Sequence, residues 1–219
     1  MKKILCLLSI LLLFVGCGPK PIPWLMEAHQ RMENFKTDFL TDRPPIVTDM
    51  HFQKAAEEIK KSGNLDLLGK VWLTRMALQV AVLAEPEDGD YPKIEAAEPD
   101  PANRNFYLFL KGDAAVDGVL LPAQYRTFFA ALNGGNAAET GAAVVKIDDP
   151  LSRLIAAGLA VRRHTENEAL LQTAVETASR NGWKRALLAW LKRLGSFYEA
   201  SGDAAKAAAV RQRIDLITS

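Results

Sequence analysis

Hydrophobic residues recur at intervals of three and four along most of the chain beyond residue 23, a pattern typical of amphipathic α-helices. The first such stretch runs from Trp24 to Phe39, and the residues TDRPP at 41–45 then end it because prolines disfavour a continuing helix. Residues 51–86 contain two more periodic stretches separated by a short polar break. We therefore predict an antiparallel pair of helices in this region.

The same organisation returns in the second half of the chain. Each of three stretches has two periodic segments around a short break: 122–150, 150–182 and 183–217. The breaks share a glycine followed by Asn or Asp, namely SGN at 62–64, GGN at 134–136 and SGD at 201–203. Glycine readily ends a helix, and Asn or Asp caps the next one. The repetition predicts an all-α fold of stacked antiparallel helical hairpins.

Residues 85–105 interrupt this pattern. The stretch EPEDGDYPKIEAAEPDPANRN is rich in proline, glycine and acidic residues, which predicts a linker or loop. Because a connection of this length is unusual within a compact domain, we predict a boundary here between helical regions at 24–84 and 106–219. Residues 106–110, FYLFL, fit either a short helix or the only plausible strand.

The first 16 residues have a different character. Lys2 and Lys3 precede an apolar run from Ile4 to Val15, the pattern of a secretory signal. The run is about a dozen residues long, whereas a helix that spans a bilayer needs about 20. It ends in Val-Gly-Cys, with the cysteine at position 17, and the proline-rich stretch GPKPIP follows.

This ending resembles the lipobox of bacterial lipoprotein signal peptides, with Phe14 where leucine is usual. The resemblance implies that residues 1–16 are removed and that Cys17 becomes an N-terminus carrying palmitate-like acyl chains. Residues 17–23 would then form a lipidated tether. Gly18 after the cysteine favours the outer membrane. An ordinary cleaved leader and an uncleaved anchor are the alternatives.

The last hairpin resembles a tetratricopeptide repeat, in which small residues let two helices approach closely. The positions that fit are Leu191, Leu194, Gly195, Tyr198, Gly202 and Ala207. Arg211 and Ile214 depart from the family pattern, and its final proline is absent. The resemblance implies a helical solenoid that binds a protein or peptide, and a different α-helical array is the alternative.

Charge adds a regional pattern to this interpretation. The formal net charge of +1 does not support nucleic-acid binding, which requires a strongly basic surface. Acidic residues outnumber basic ones in 85–149, and the reverse holds in 150–219. This asymmetry would steer a charged partner, let the two segments pack together, or simply form solvated surface.

Candidate catalytic chemistry is sparse. The three histidines, His29, His51 and His164, lack metal-ligand spacing, so we expect no metal or other cofactor. Nucleophile and phosphate-loop motifs are also missing from the sequence, and we expect no enzymatic activity. Asp149 precedes Pro150 and is predicted to cap a helix. The alternative function is a cell-wall hydrolase with a carboxylate site in the acidic middle segment.

Four basic residues on the last hairpin are candidate partner-binding residues: Lys184, Arg185, Lys192 and Arg193. They accompany aromatic residues that could form a groove for an acidic peptide, although Trp190 and Tyr198 follow helical spacing and are predicted to be in the core. Together with these residues, the resemblance of residues 14–17 to a lipobox implies a lipoprotein of the cell envelope. We expect it at the periplasmic face of the outer membrane, as an interaction scaffold or assembly factor for another protein.

Overall fold

The structure, a computed structural model, describes residues 22–219, and these form eleven α-helices and no strand. The prediction of an all-α fold is confirmed. The predictions for residues 1–16 and for Cys17 lie outside the described residues. In chain order the helices are α1 (Pro23–Leu40), α2 (Pro45–Lys60), α3 (Leu65–Ala81), α4 (Tyr91–Ala97), α5 (Pro101–Lys111), α6 (Ala123–Gly134), α7 (Ala137–Val145), α8 (Pro150–Arg162), α9 (Glu168–Arg180), α10 (Lys184–Ala200) and α11 (Ala204–Thr218).

The breaks between helices are built as the sequence predicted. Gly63 and Gly202 have φ of 66° and 77°, in the left-handed region that glycine adopts without strain. The side chain of Asn64 accepts a hydrogen bond from the Leu67 amide at 2.8 Å, which caps α3. The breaks at 134–136 and 201–203 follow the same scheme. Local capping thus fixes where these helices begin and end.

Helix α3 lies at the centre of the molecule. It packs against α1, α2, α4, α5 and α8. Its buried residues are distributed around its whole circumference: Leu68, Gly69, Val71, Leu73, Met76, Ala77, Leu78, Gln79, Val80 and Ala81. A helix with buried residues on nearly every side belongs in a core, and only the first half of α3 exposes a polar side, at Lys70.

The last turn of α3 contacts both α8 and α10. Gly158 of α8 faces the Val80 carbonyl so closely that a Cβ at position 158 would lie 2.3 Å from its oxygen. Trp190 of α10 is fully buried, and its Nε1 donates to the Ala81 carbonyl at 2.9 Å. These contacts join the two halves of the chain.

Helices α6 to α11 pack consecutively as hairpins, with connections of two to five residues. Such short connections place neighbouring helices antiparallel. In the last hairpin Leu191, Leu194, Tyr198 and Ala207 are buried, and the nearest atom to a Cβ at Gly195 would be Val210 Cγ1 at 3.4 Å. Helical hairpins are therefore confirmed in this half.

The segment 85–105 is more ordered than the sequence suggested. It contains α4 and the first turn of α5, so the prediction of a linker or loop is corrected, and the strand alternative for 106–110 is wrong. Asp100 caps α5 by accepting from the Asn103 amide at 2.7 Å. Tyr91 and Ile94 of α4 are buried beside Gly69 of α3. Acidic and proline residues here begin helices instead of breaking them.

Candidate functional site

The four basic residues predicted to bind a partner do not form a single patch on α10. Lys184 and Lys192 are exposed, and no carboxylate among the described residues forms an ion pair with either. Lys184 and Arg193 are nine residues apart, which places them on opposite sides of an α-helix. Arg185 and Arg193 have partners within the chain.

Arg185 connects α10 to the turn between α1 and α2. Its Nε donates to Asp42 Oδ1 at 3.1 Å, and its guanidinium lies 4.6 Å from the centre of the Phe39 ring. Both contacts use the planar shape and permanent charge of arginine. This side chain therefore has a structural role, whatever else it binds.

Arg193 forms an ion pair with Glu166, in the loop that precedes α9. The Glu166 side chain is only 7% exposed and that of Arg193 is 31% exposed. A carboxylate this buried needs a counter-charge, because its desolvation is costly. Partner binding by the four basic residues stays a prediction. Lys184 and Lys192 are the two of the four whose charge is not used within the described part of the chain.

Trp190 and Tyr198 are buried, as the sequence predicted. The Tyr198 hydroxyl donates to Glu168 Oε1 at 2.8 Å, and Lys206 Nζ donates to the same oxygen at 2.9 Å. The Lys206 hydrogen bond, followed by the Tyr198 hydrogen bond, holds the pKa of Glu168 below its usual value. This network joins α9, α10 and α11.

An open cleft lies between α4 and α5, in the segment that the sequence analysis treated as a linker. Its volume is about 420 Å³, and most of its wall is apolar. The rings of Tyr91 and Tyr107 stack with their centroids 4.9 Å apart and their planes at 18°. The lining residues are Tyr91, Pro92, Glu95, Ala96, Pro99, Arg104, Tyr107 and Leu108.

Carboxylates fix both tyrosine hydroxyls of this α4–α5 cleft. Tyr91 donates to Glu95 Oε2 and Tyr107 donates to Asp88 Oδ2, each at 3.1 Å. Burial is the main reason that the pKa of both phenols is raised, so they remain protonated donors. Arg104 is exposed at the rim, and no carboxylate of residues 22–219 lies within ion-pair distance of it. Because Tyr91 is itself buried, the surface that the cleft presents consists of the partly buried Tyr107 ring, two prolines and the unpaired Arg104.

The carboxyl groups with shifted pKa values all favour the ionised form. The pKa is lowered for Asp66, Asp90 and Glu168, in each case chiefly by a hydrogen bond from a lysine. A hydrolase acid would require a pKa that is raised instead.

The predicted helix cap at Asp149 is confirmed. Asp149 caps α8 by accepting from the Ser152 amide at 2.7 Å. Within the described part of the chain, no group of three His, Cys, Asp or Glu side chains could hold a metal ion.

A second groove runs along α1 from Leu25 to Lys36 and along the first half of α3. Its volume is about 260 Å³ and its wall is mainly apolar. Lys36 and Lys70 lie at its rim, where they pair with Glu33 and Asp66, respectively.

None of the helices of residues 22–219 is long and apolar enough to span a membrane.

Comparisons with family models, with curated proteins and with solved structures gave no match.

Proposed function

We propose that the protein is a lipid-anchored scaffold or assembly factor of the cell envelope that binds another protein through its helical surface. Support for the anchor comes from the cationic and apolar leader, which ends in Val-Gly-Cys at position 17. Acylated Cys17 would hold the chain on the membrane, at the periplasmic face of the outer membrane. Several acyl chains together give stable anchoring, whereas one chain binds only marginally.

The α4–α5 cleft is the observation that best supports a binding role. It is open, its walls carry two prolines and the Tyr107 ring, which stacks on the buried Tyr91, and one unpaired arginine stands at its edge. Aromatic-lined grooves of this kind bind extended, proline-containing peptides, because such peptides lose little conformational entropy on binding. We infer that an extended segment of the partner binds there.

We further propose that α6–α11 form a tetratricopeptide-like array. The burial of Leu191, Leu194 and Tyr198 at the family positions supports this arrangement. Since α3 packs on α8 and contacts α10 through Trp190, part of the inner face of such an array is already covered. We therefore expect the partner on the outer surface, at the α4–α5 cleft and near Lys184 and Lys192.

Site-specific photocrosslinking in native membranes tests the binding site. A benzoylphenylalanine introduced at Ala96, exposed in the cleft, should give a discrete crosslinked adduct. The same probe at Ala130, exposed on α6 and outside the cleft lining, is the matched control and should give none. Equal adduct yields at the two positions would contradict the proposed site.

A charge-reversal pair extends this test. Arg104→Glu should reduce the yield of the adduct at Ala96, because it replaces the only cation of the cleft lining. Lys54→Glu, at an exposed position of α2, makes the same charge change away from the cleft and should leave the yield unchanged.

Metabolic labelling with a clickable fatty acid tests the anchor independently. The wild-type chain should incorporate the label and Cys17→Ser should not. Equal labelling of the two would refute acylation at this position.

A further inference from the structure

We propose that the first turn of α1 lies against the bilayer surface and contacts the boundary between lipid headgroups and acyl chains. This inference rests on the proposed lipid anchor at Cys17. It adds a second membrane contact, made by the folded domain itself, which would fix how the domain is oriented above the membrane.

The start of α1 has an apolar outer face. Ile22, Leu25 and Met26 are 48%, 38% and 56% exposed. Their spacing of three and four residues places them on one side of the helix. The buried stripe of α1 contains Ala28 and Met32, which lie three and seven residues beyond Leu25 on the same side of the helix, so Leu25 joins the exposed residues to the core-facing side. This end of α1 is therefore apolar on the side that faces solvent as well as on the side that faces the core.

The chain connection brings this face to the membrane. Five peptide units separate Cys17 from Ile22, and a fully extended chain of that length spans at most about 18 Å. Acyl chains inserted in the bilayer hold the cysteine at the interface. Ile22 thus remains within that distance of the lipid, and Met26 lies only about 6 Å further along the helix. Contact therefore requires no rearrangement of the described helices.

The surroundings of the face indicate an apolar contact rather than an electrostatic one. Leu25 also lines the groove between α1 and α3, so the apolar surface continues into that groove. The lysines at the groove rim, Lys36 and Lys70, are each paired with a carboxylate of the same helix. Because these pairs are nearly neutral, we expect the contact to form on zwitterionic lipid and to be insensitive to salt.

A depth probe on the acylated, full-length protein tests this arrangement. Met26→Cys is labelled with the fluorophore NBD, and the protein is reconstituted into phosphatidylcholine vesicles. We expect a blue-shifted emission and strong quenching by lipids that are spin-labelled near the headgroup. Both effects should persist at high salt.

The matched control is Met50→Cys in α2, an exposed methionine at 41% exposure. Its neighbour His51 lies beside Asp38 of α1. Asp38 is 12 residues beyond Met26, or about 18 Å along the helix. The probe at position 50 should show the emission of a water-exposed fluorophore and no lipid quenching.

The possible outcomes distinguish a failure of the membrane contact made by α1 from a failure of the lipid anchor at Cys17. Failure of the acylated protein to bind vesicles would refute the anchor. Stable vesicle binding with an unquenched, water-exposed probe at position 26 would overturn the membrane contact alone. A blue shift without lipid quenching would also overturn it, because the probe would then be covered by another protein chain.

Discussion

Gly158 determines how closely α8 approaches α3. A methyl group at this position would lie 2.3 Å from the Val80 carbonyl oxygen, and backbone atoms move less readily than side-chain ends. We expect Gly158→Ala to destabilise the protein by about 1–3 kcal/mol, the usual cost of overpacking a core. Urea unfolding followed by circular dichroism measures this change.

Gly195→Ala is the matched control for that substitution. Its new methyl group would meet Val210 Cγ1 at 3.4 Å, an ordinary van der Waals contact. Alanine is also favoured over glycine within a helix by about 1 kcal/mol. We expect this variant to be at least as stable as the wild type. Equal stability of the two variants would contradict the close contact between α3 and α8.

The ion pair between Arg193 and Glu166 should be needed mainly to compensate a buried charge. Arg193→Met leaves the Glu166 carboxylate buried without a counter-charge. We expect a loss of about 2–3 kcal/mol, less than for a fully buried pair because the arginine is partly exposed. The double variant Arg193→Met with Glu166→Gln should recover most of the loss in urea unfolding. If Arg193→Met and the double variant were equally unstable, the lost packing of the arginine side chain would be the cause instead of the unpaired charge.

At the scale of helices, local signals in the sequence explain the successes and the main failure. Periodicity and capping residues such as Asn64 act within a few residues, so they predicted the breaks between helices correctly. The failure concerns α4 and α5. Asp100 and Pro101 stand at the N-cap and first position of α5, where both are favourable, but their composition alone suggested a loop.

The α4–α5 cleft could not be predicted because it depends on contacts between distant residues. Tyr107 reaches Asp88, and the Asn103 side chain donates to Asp66 Oδ1 of α3 at 2.8 Å. Neither pairing leaves a local pattern in the sequence. The one available signal was Tyr91 among the prolines of the segment 85–105, because a loop does not require a tyrosine there.

The ionised Asp66 carboxylate at the start of α3 should make stability depend on acid pH. Hydrogen bonding from Lys70, and secondarily from Asn103, holds the pKa of Asp66 below its ordinary value of 3.8. Because the folded-state pKa is the lower one, the stabilisation is present above the unfolded-state pKa and is lost as the pH falls through the folded-state pKa.

The variant Asp66→Asn cannot titrate and should therefore lose less stability on acidification. We expect the fall of its urea midpoint between about pH 5 and pH 3 to be shallower than that of the wild type. Asp215→Asn, at an exposed position of α11, is the control and should keep the wild-type slope. Parallel curves for all three proteins would contradict the role of Asp66.

At the scale of the whole molecule, helices from both sides of the segment 85–105 share one hydrophobic core. We therefore expect urea unfolding to proceed in a single transition, because α3 cannot lose its contacts with α8 without exposing its apolar surface. Tryptophan fluorescence and circular dichroism should give coincident curves.

Separate expression of the two predicted regions provides the complementary test. Neither 24–84 nor 106–219 should give a cooperative transition alone, because each would expose one side of the contact between α3 and α8. Two resolved transitions in the full chain, or a cooperatively folded fragment, would support the domain boundary predicted from the sequence.

The central position of α3 also has a consequence for biosynthesis. Synthesis and export both deliver the chain from its N-terminus, so α3 emerges well before α8 and α10, whose residues cover its last turn. During that interval a strongly apolar helix has no native partner on one side. Nascent chains should therefore be bound by holdase chaperones until the final hairpins have emerged. Truncated chains that lack those hairpins should be degraded by proteases.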